Sequence, residues 1–195
     1  VFQNKLEILD TDFVVCYLGS LGTWYPLDEM LQFYKFLNKK YSNSKLLFIT
    51  PDTKESILNR AKKTGINLNE IIVTHATHTE VPVFLSLSKI GLCFIKPVYS
   101  KTGSSPTKLG EMLSMGLPVI SNSNIGDINW LVSEYKIGPL VATFSDIEYE
   151  RVVAEIASFL SMDPQSFRET ASRYFSLENG TETYKKVYRN LSCLF

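Results

Sequence analysis

Asp12-Phe13-Val14-Val15-Cys16-Tyr17-Leu18, closed by Gly19, is the stretch that decides the fold of this 195-residue chain. After Asp12 it shows no polar alternation, so it does not suit a strand with one wet face. It predicts a strand buried on both faces, the habit of parallel sheets. A parallel sheet needs crossovers, and the residues that follow supply one. Leu27, Met30, Leu31, Tyr34 and Leu37 fall on one side of a helical projection, while Asp28, Glu29, Gln32, Lys35 and Asn38 lie largely on the other.

The same alternation continues along the chain. Residues 45–50 predict a second strand, and Pro51-Asp52-Thr53 opens a helix over 54–64 that Gly65 closes. Residues 71–73 predict a third strand, followed by the polar segment Thr74-His75-Ala76-Thr77-His78-Thr79, a helix near 80–88 and a fourth strand over 91–95. Residues 103–120 pack a small-residue loop, a short helix and a strand into one unit: Pro106 suits a first helical turn, and Gly116 and Pro118 punctuate the exit into the fifth strand, 118–121. A helix over 127–135 and a short sixth strand over 138–142 complete the alternation. Three helical segments without a further strand then follow, at 147–161, 164–175 and 178–191.

Such a pattern predicts an α/β fold: a doubly wound, parallel Rossmann-like sheet with helices on both faces and a C-terminal helical tail, forming one domain over 1–195. Residues 1–10 read as a lead-in, as though the chain were the C-terminal piece of something longer.

Twenty basic and twenty acidic residues cancel, with no block of like charge. That leaves no electrostatic footprint for nucleic acid, which is excluded as a partner. Cys16 and Cys93 sit inside apolar runs and Cys193 near the C-terminus, a distribution that predicts reduced thiols and a cytoplasmic location. No apolar stretch reaches the ~20 residues that span a bilayer, while peripheral membrane contact stays open.

In an open doubly wound sheet, ligands bind beyond the carboxyl ends of the strands. Four loops lie there. Gly19-Ser20-Leu21-Gly22 is either a tight turn or a close backbone approach to a diphosphate. The 74–79 loop, with Thr74 and His75, is either a solvated loop or a wall for a nucleotide base. Two histidines three apart with no third ligand do not make a metal site, and no metal or other cofactor is expected. In the third loop, the amides around Ser105, Pro106, Thr107, Lys108 and Leu109 face an anion at a helix N-terminus. Lys108 is placed to meet phosphate, with Lys96 and Lys101 nearby, and Glu111, three residues on, to accept sugar hydroxyl protons. In the fourth loop, Asp127 or Asn124 is expected to cap a helix. Trp130 is assigned to the core, whereas Trp24 and Tyr25 are placed to rim a cleft.

Several of these segments together resemble a known family. Gly19-Ser20-Leu21-Gly22, Glu80-Val81-Pro82, Ser105-Pro106-Thr107-Lys108-Leu109-Gly110-Glu111-Met112-Leu113, Gly116-Leu117-Pro118-Val119-Ile120 and Phe175-Ser176-Leu177-Glu178 with Tyr184 and Tyr188 are similar to the C-terminal domain of GT-B-fold glycosyltransferases of family 4, or glycosyl transferases group 1. The resemblance implies a retaining glycosyltransferase that takes a nucleotide-diphosphate sugar as donor, without a metal, in cell-surface polysaccharide or glycolipid synthesis. It implies that Glu111 binds the ribose, that Gly19, Ser20, Leu21 and Gly22 with the amides of residues 105–108 face the diphosphate, and that Thr74 and His75 lie beside the base. Lys108 and Glu111 are then the two residues of catalytic weight.

The resemblance also implies an N-terminal acceptor domain as partner, to which the last helices cross back, and inactivity of this domain alone. Two positions depart from the family. Gly103 stands where a glutamate often precedes Glu111 by eight positions, and Ser20 and Tyr25 stand where many members carry an arginine and a lysine. A nucleotide- or sugar-phosphate-binding module without catalysis, and a sugar-nucleotide epimerase of similar architecture, are the rival readings.

Overall fold

The buried run becomes an inner strand of the sheet. The structure, a computed structural model that describes residues 5–192, has six parallel strands: β1 (Phe13–Leu18), β2 (Ser44–Ile49), β3 (Ile71–Thr74), β4 (Ile90–Cys93), β5 (Val119–Asn122) and β6 (Leu140–Val141). Their order is β3-β2-β1-β4-β5-β6. β1 therefore lies between β2 and β4, with Val15 opposite both Leu46 and Ile90. A strand hydrogen-bonded on both edges and covered on both faces meets no water, which is why its sequence carries no alternation.

Helices α1 (Leu27–Lys40), α2 (Lys54–Thr64) and α6 (Asp146–Leu160) cover one face, with Leu31, Ile57 and Val152 packed against Val15 and Tyr17. Helices α3 (Val81–Leu85), α4 (Thr107–Ser114), α5 (Ile128–Tyr135) and α7 (Pro164–Phe175) cover the other, where Leu109, Leu131 and Phe167 meet Val14 and Cys16. Strand order reverses between β1 and β4, so the loops leaving these two strands part to opposite faces. A crevice opens there at their carboxyl ends.

Several elements end where their backbone chemistry dictates. Thr53 caps α2 by accepting from the Ser56 N–H, and Gly65 ends it in the left-handed conformation at φ 76°. β6 is shorter than the sequence predicts, because Pro139 lacks an N–H and the Ala142 N–H donates to Glu148 Oε1 instead of continuing the ladder. The helix expected near 80–88 is only α3: Ser86 N–H makes its last helical bond, to Pro82 C=O, and Leu87 and Ser88 donate three residues back into tight turns before Lys89 N–H joins Val14 C=O at 2.8 Å. Pro106 is the residue before α4, with extended backbone at ψ 116°, rather than part of its first turn.

Cys16 and Cys93 are buried free thiols, and Cys193 lies outside the described residues. Of the lead-in, Ile8 packs into the core beside Val14. The final helix, α8 (Leu177–Ser192), leaves Leu177, Tyr184 and Tyr188 exposed on its surface. Among the described residues no helix is long and apolar enough to cross a membrane.

Candidate functional site

At the crevice, Gly19 ends β1 with φ 99°, a conformation that side chains other than hydrogen disfavour. It has a second reason to be glycine: a Cβ there would lie 3.1 Å from Lys108 Nζ. Lys108 rises from the first turn of α4 on one side of the sheet and passes beneath the loop that leaves β1. Its Nζ donates to Tyr17 Oη at 2.9 Å and lies 3.6 Å from the centre of the Tyr25 ring and 4.4 Å from that of Tyr17. Only 8% of the residue is exposed. Burial lowers its pKa from the ordinary 10.5 to about 8, against the opposing charges of Cys93 and Glu111. Burial also pushes the Cys93 thiol up to about 11, which keeps it protonated near neutral pH. Among the described residues no carboxylate forms an ion pair with Lys108.

The loop above this cation is tied down at consecutive residues. Tyr17 Oη donates to the Ser20 carbonyl at 2.7 Å, and the Leu21 N–H donates to Asp52 Oδ2 at 2.7 Å. The same Asp52 oxygen accepts from Thr50 Oγ1 at 2.7 Å, which anchors the loop to the end of β2. A cleft of about 510 Å³ opens beside it, lined by Leu21, Gly22, Thr23, Tyr25, Asp52 and Lys96.

The loop after β4 is braced from behind. Asn122 Nδ2 donates to the Ile95 carbonyl at 2.9 Å and its Oδ1 accepts the Ile95 N–H at 2.8 Å, so one side chain extends the β4–β5 pairing past the end of the sheet. Gly126, at φ 42°, lets the next loop press on Ser104: a Cβ at 126 would fall 1.7 Å from the Ser104 carbonyl oxygen. Ser105 Oγ then donates to Asp127 Oδ2 at 3.1 Å. Asp127 thus braces Ser105 and does not cap α5 with its side chain, and Asn124 N–H instead donates to Asn129 Oδ1. Among the described residues no side chain caps α4 either, which leaves its N-terminal dipole end open toward the crevice.

Gly19, Ser20, Leu21 and Lys108 are brought together, and Glu111 follows one turn later, close enough to bear on the Lys108 charge. Glu111 borders a second groove, of about 450 Å³, with Thr107, Arg168 and Phe175. Thr74 and His75 lie farther off, at the end of β3, roughly 10 Å from β1 across the intervening strand. Thr74 C=O accepts from Thr50 N–H, and His75 and His78 are exposed. Lys101 stacks on Trp24, its Nζ 4.8 Å from the ring. Trp130 is not in the core as expected: it is 46% exposed and stands edge-on to Tyr135 and Tyr174.

This crevice, built from a glycine loop, a lysine and an open helix N-terminus, sits on a chain whose sequence matches the model of glycosyl transferases group 1 over residues 1–174. The chain belongs to that family. Solved structures of GT-B glycosyltransferases share its fold. WaaG, a glycosyltransferase involved in lipopolysaccharide biosynthesis, is 18% identical with a TM-score of 0.64 over 89% of this chain and 45% of its own. A mutant of TarM of S. aureus, in complex with Fondaparinux, alpha-GlcNAc-glycerol and UDP, is 14% identical with a TM-score of 0.70 over 91% of this chain and 36% of its own. AviGT4, a glycosyltransferase involved in Avilamycin A biosynthesis, is 17% identical with a TM-score of 0.67 over 92% of this chain and 51% of its own.

The chain therefore spans between about a third and a half of these glycosyltransferases. At such identities the likeness speaks for the fold. No curated protein sequence matches.

Within this glycosyltransferase fold, Tyr17, Asp52 and Asn122 are the residues that sequence reading passed over. Tyr17 looked like one more apolar strand residue, because nothing along the chain reveals that its hydroxyl meets a lysine 91 positions away. Asp52 had a usable signal, since it lies just beyond the carboxyl end of β2. Asn122 ends β5 and had the same one.

Proposed function

We propose that this chain is the donor-binding, C-terminal domain of a retaining, metal-independent glycosyltransferase that moves a sugar from a nucleotide diphosphate to an acceptor. The observation that carries the proposal is Lys108: a buried cation that no carboxylate ion-pairs among the described residues, held at the switch point of the sheet beneath a glycine loop. An isolated buried charge is costly, and an arriving diphosphate supplies the missing counter-charge. The α4 amides, its dipole and Lys108 would stabilise the negative charge that gathers on the diphosphate as the glycosyl C–O bond breaks and its electron pair passes to phosphate oxygen. The new bond forms to an acceptor hydroxyl, whose proton leaves with the products.

Glu111 accepts hydrogen bonds from the ribose hydroxyls in this reading, with Thr74 and His75 toward the base. Gly103 leaves the donor sugar without the acidic contact that an earlier glutamate supplies. The exposed apolar residues of α8 suit a return to an N-terminal acceptor domain, without which transfer is not expected. Polysaccharide or glycolipid synthesis at the cytoplasmic side of a membrane is the setting proposed, and the UDP held in the TarM complex supports a nucleotide donor.

Calorimetric titration with uridine, guanosine, adenosine and cytidine diphosphates tests the proposal. One of them should bind, and both Lys108→Met and Glu111→Gln should weaken that binding tenfold or more. Binding of none, or binding indifferent to both changes, refutes the site.

A further inference from the structure

The loop that leaves β1 carries no cation of its own: Gly19, Ser20, Leu21, Gly22, Thr23, Trp24 and Tyr25 are all uncharged. Beneath it lies the Lys108 ammonium, which belongs to a different element, α4, on the opposite face of the sheet. It is kept in place by two rings from the β1 side. Tyr17, fully buried, accepts from Nζ while donating to the Ser20 carbonyl. The Tyr25 ring faces Nζ at 3.6 Å and touches Tyr17 edge-on, with centroids 6.2 Å apart.

We propose that Tyr17 and Tyr25 are positioning residues that cage the Lys108 ammonium beneath the loop, so that a cation borrowed from α4 serves the donor diphosphate from the place where the loop has none. This rests on the donor-site reading above. The π faces hold the charge without neutralising it. A carboxylate partner would have cancelled the field that the diphosphate is to meet, whereas a phenol oxygen accepting one hydrogen bond orients Nζ and leaves its charge in force. Tyr17 does a second thing with the same oxygen: it links the cation to the Ser20 carbonyl, so the position of the ammonium and the shape of the loop are set together.

The groups that face Lys108 are Tyr17 from β1, Tyr25 from the following loop, Cys93 from β4 and Glu111 from its own helix. Asp52 from β2 acts on Tyr17. Tyr17, like Cys93, is pushed upward by burial and stays protonated near neutral pH, so Lys108 is the group of this cluster that changes charge near pH 8.

The test is calorimetric titration of the chain with the four nucleoside diphosphates and with the corresponding nucleosides between pH 6 and pH 10, for the parent chain and for Tyr25→Leu, Tyr25→Phe and Tyr17→Phe. Diphosphate affinity of the parent should fall as pH rises through about 8, and nucleoside affinity should not. Tyr25→Leu, which opens the ammonium to water, should weaken diphosphate binding about tenfold at pH 7 and move the midpoint up. Tyr17→Phe, which keeps the ring but removes the oxygen that favours the charged form, should move the midpoint down. Tyr25→Phe keeps the ring face and should leave the midpoint unchanged.

Loss of affinity with a fixed midpoint in both Tyr25→Leu and Tyr17→Phe would overturn the cage while the donor site stands. Absence of diphosphate binding by the parent at every pH would instead overturn the donor-site reading, and the cage's role with it.

Discussion

Lys108→Met should make the protein more stable while weakening the nucleoside diphosphate binding proposed for it. A lysine held at about 8 in place of 10.5 resists its own protonation in the folded state by about 3 kcal/mol, each tenfold being about 1.4 kcal/mol. Methionine is one heavy atom shorter than lysine, and the packing lost there gives back about 1 kcal/mol of that. Methionine has a similar length and no charge, and sulfur packs well on aromatic rings. The net gain at pH 7 should therefore be about 2 kcal/mol, or a rise of roughly 4–8 °C in Tm for a chain of this size.

The pH dependence separates this cause from ordinary repacking. Below pH 8 Lys108 is protonated in both folded and unfolded chains, and the whole penalty is present. Between pH 8 and 10.5 the unfolded chain still binds the proton and the folded chain does not, so this group's contribution to stability improves as pH rises. Above 10.5 neither binds it, and the penalty is gone. The advantage of Lys108→Met should then be largest at pH 7 and shrink across pH 8 to 10.5. Denaturant unfolding of both chains at pH 7, 9 and 10.5 measures it. A variant less stable than the parent by a margin constant over that range would refute the reasoning, because it would show the ammonium to be fully compensated in the folded protein.

Asn122→Ala leaves the buried Ile95 N–H and C=O unpaired and should cost about 3 kcal/mol in denaturant unfolding. Gly126→Ala places a Cβ 1.7 Å from the Ser104 carbonyl oxygen; it should cost about 2 kcal/mol, separate Ser105 from Asp127 and lower diphosphate affinity, as unfolding and calorimetry will show. Asp52→Ala frees the Leu21 N–H and Thr50 hydroxyl. Hydrogen exchange at Leu21 should then accelerate by tenfold or more, with a stability loss of about 1–2 kcal/mol.

The sheet was legible in the sequence because each of its signals is local. Leu18 closes an unbroken apolar run and Gly19 stops it; Thr53 and Gly65 bracket α2 through hydrogen bonds that span only a few residues. Where reading along the chain failed, a group on another element had decided. β6 was shortened by a bond from Ala142 to Glu148, and Trp130 packs on Tyr135 of its own helix and Tyr174 of α7 at the surface rather than in the core. Asp127, at a position that local rules assign to helix capping, turned to Ser105.

The candidate site divides in the same way. The sequence by itself determined that a glycine loop and a lysine-bearing helix N-terminus would stand at the carboxyl ends of parallel strands, since strand burial and helix starts are properties of short segments. Only the tertiary structure decided that Lys108 lies under Gly19 between Tyr17 and Tyr25, and that Asp52 and Asn122 hold the two loops in place. Those contacts join elements 27 to 91 residues apart, and their strength comes from desolvation, which exists only once the sheet has closed over the cation.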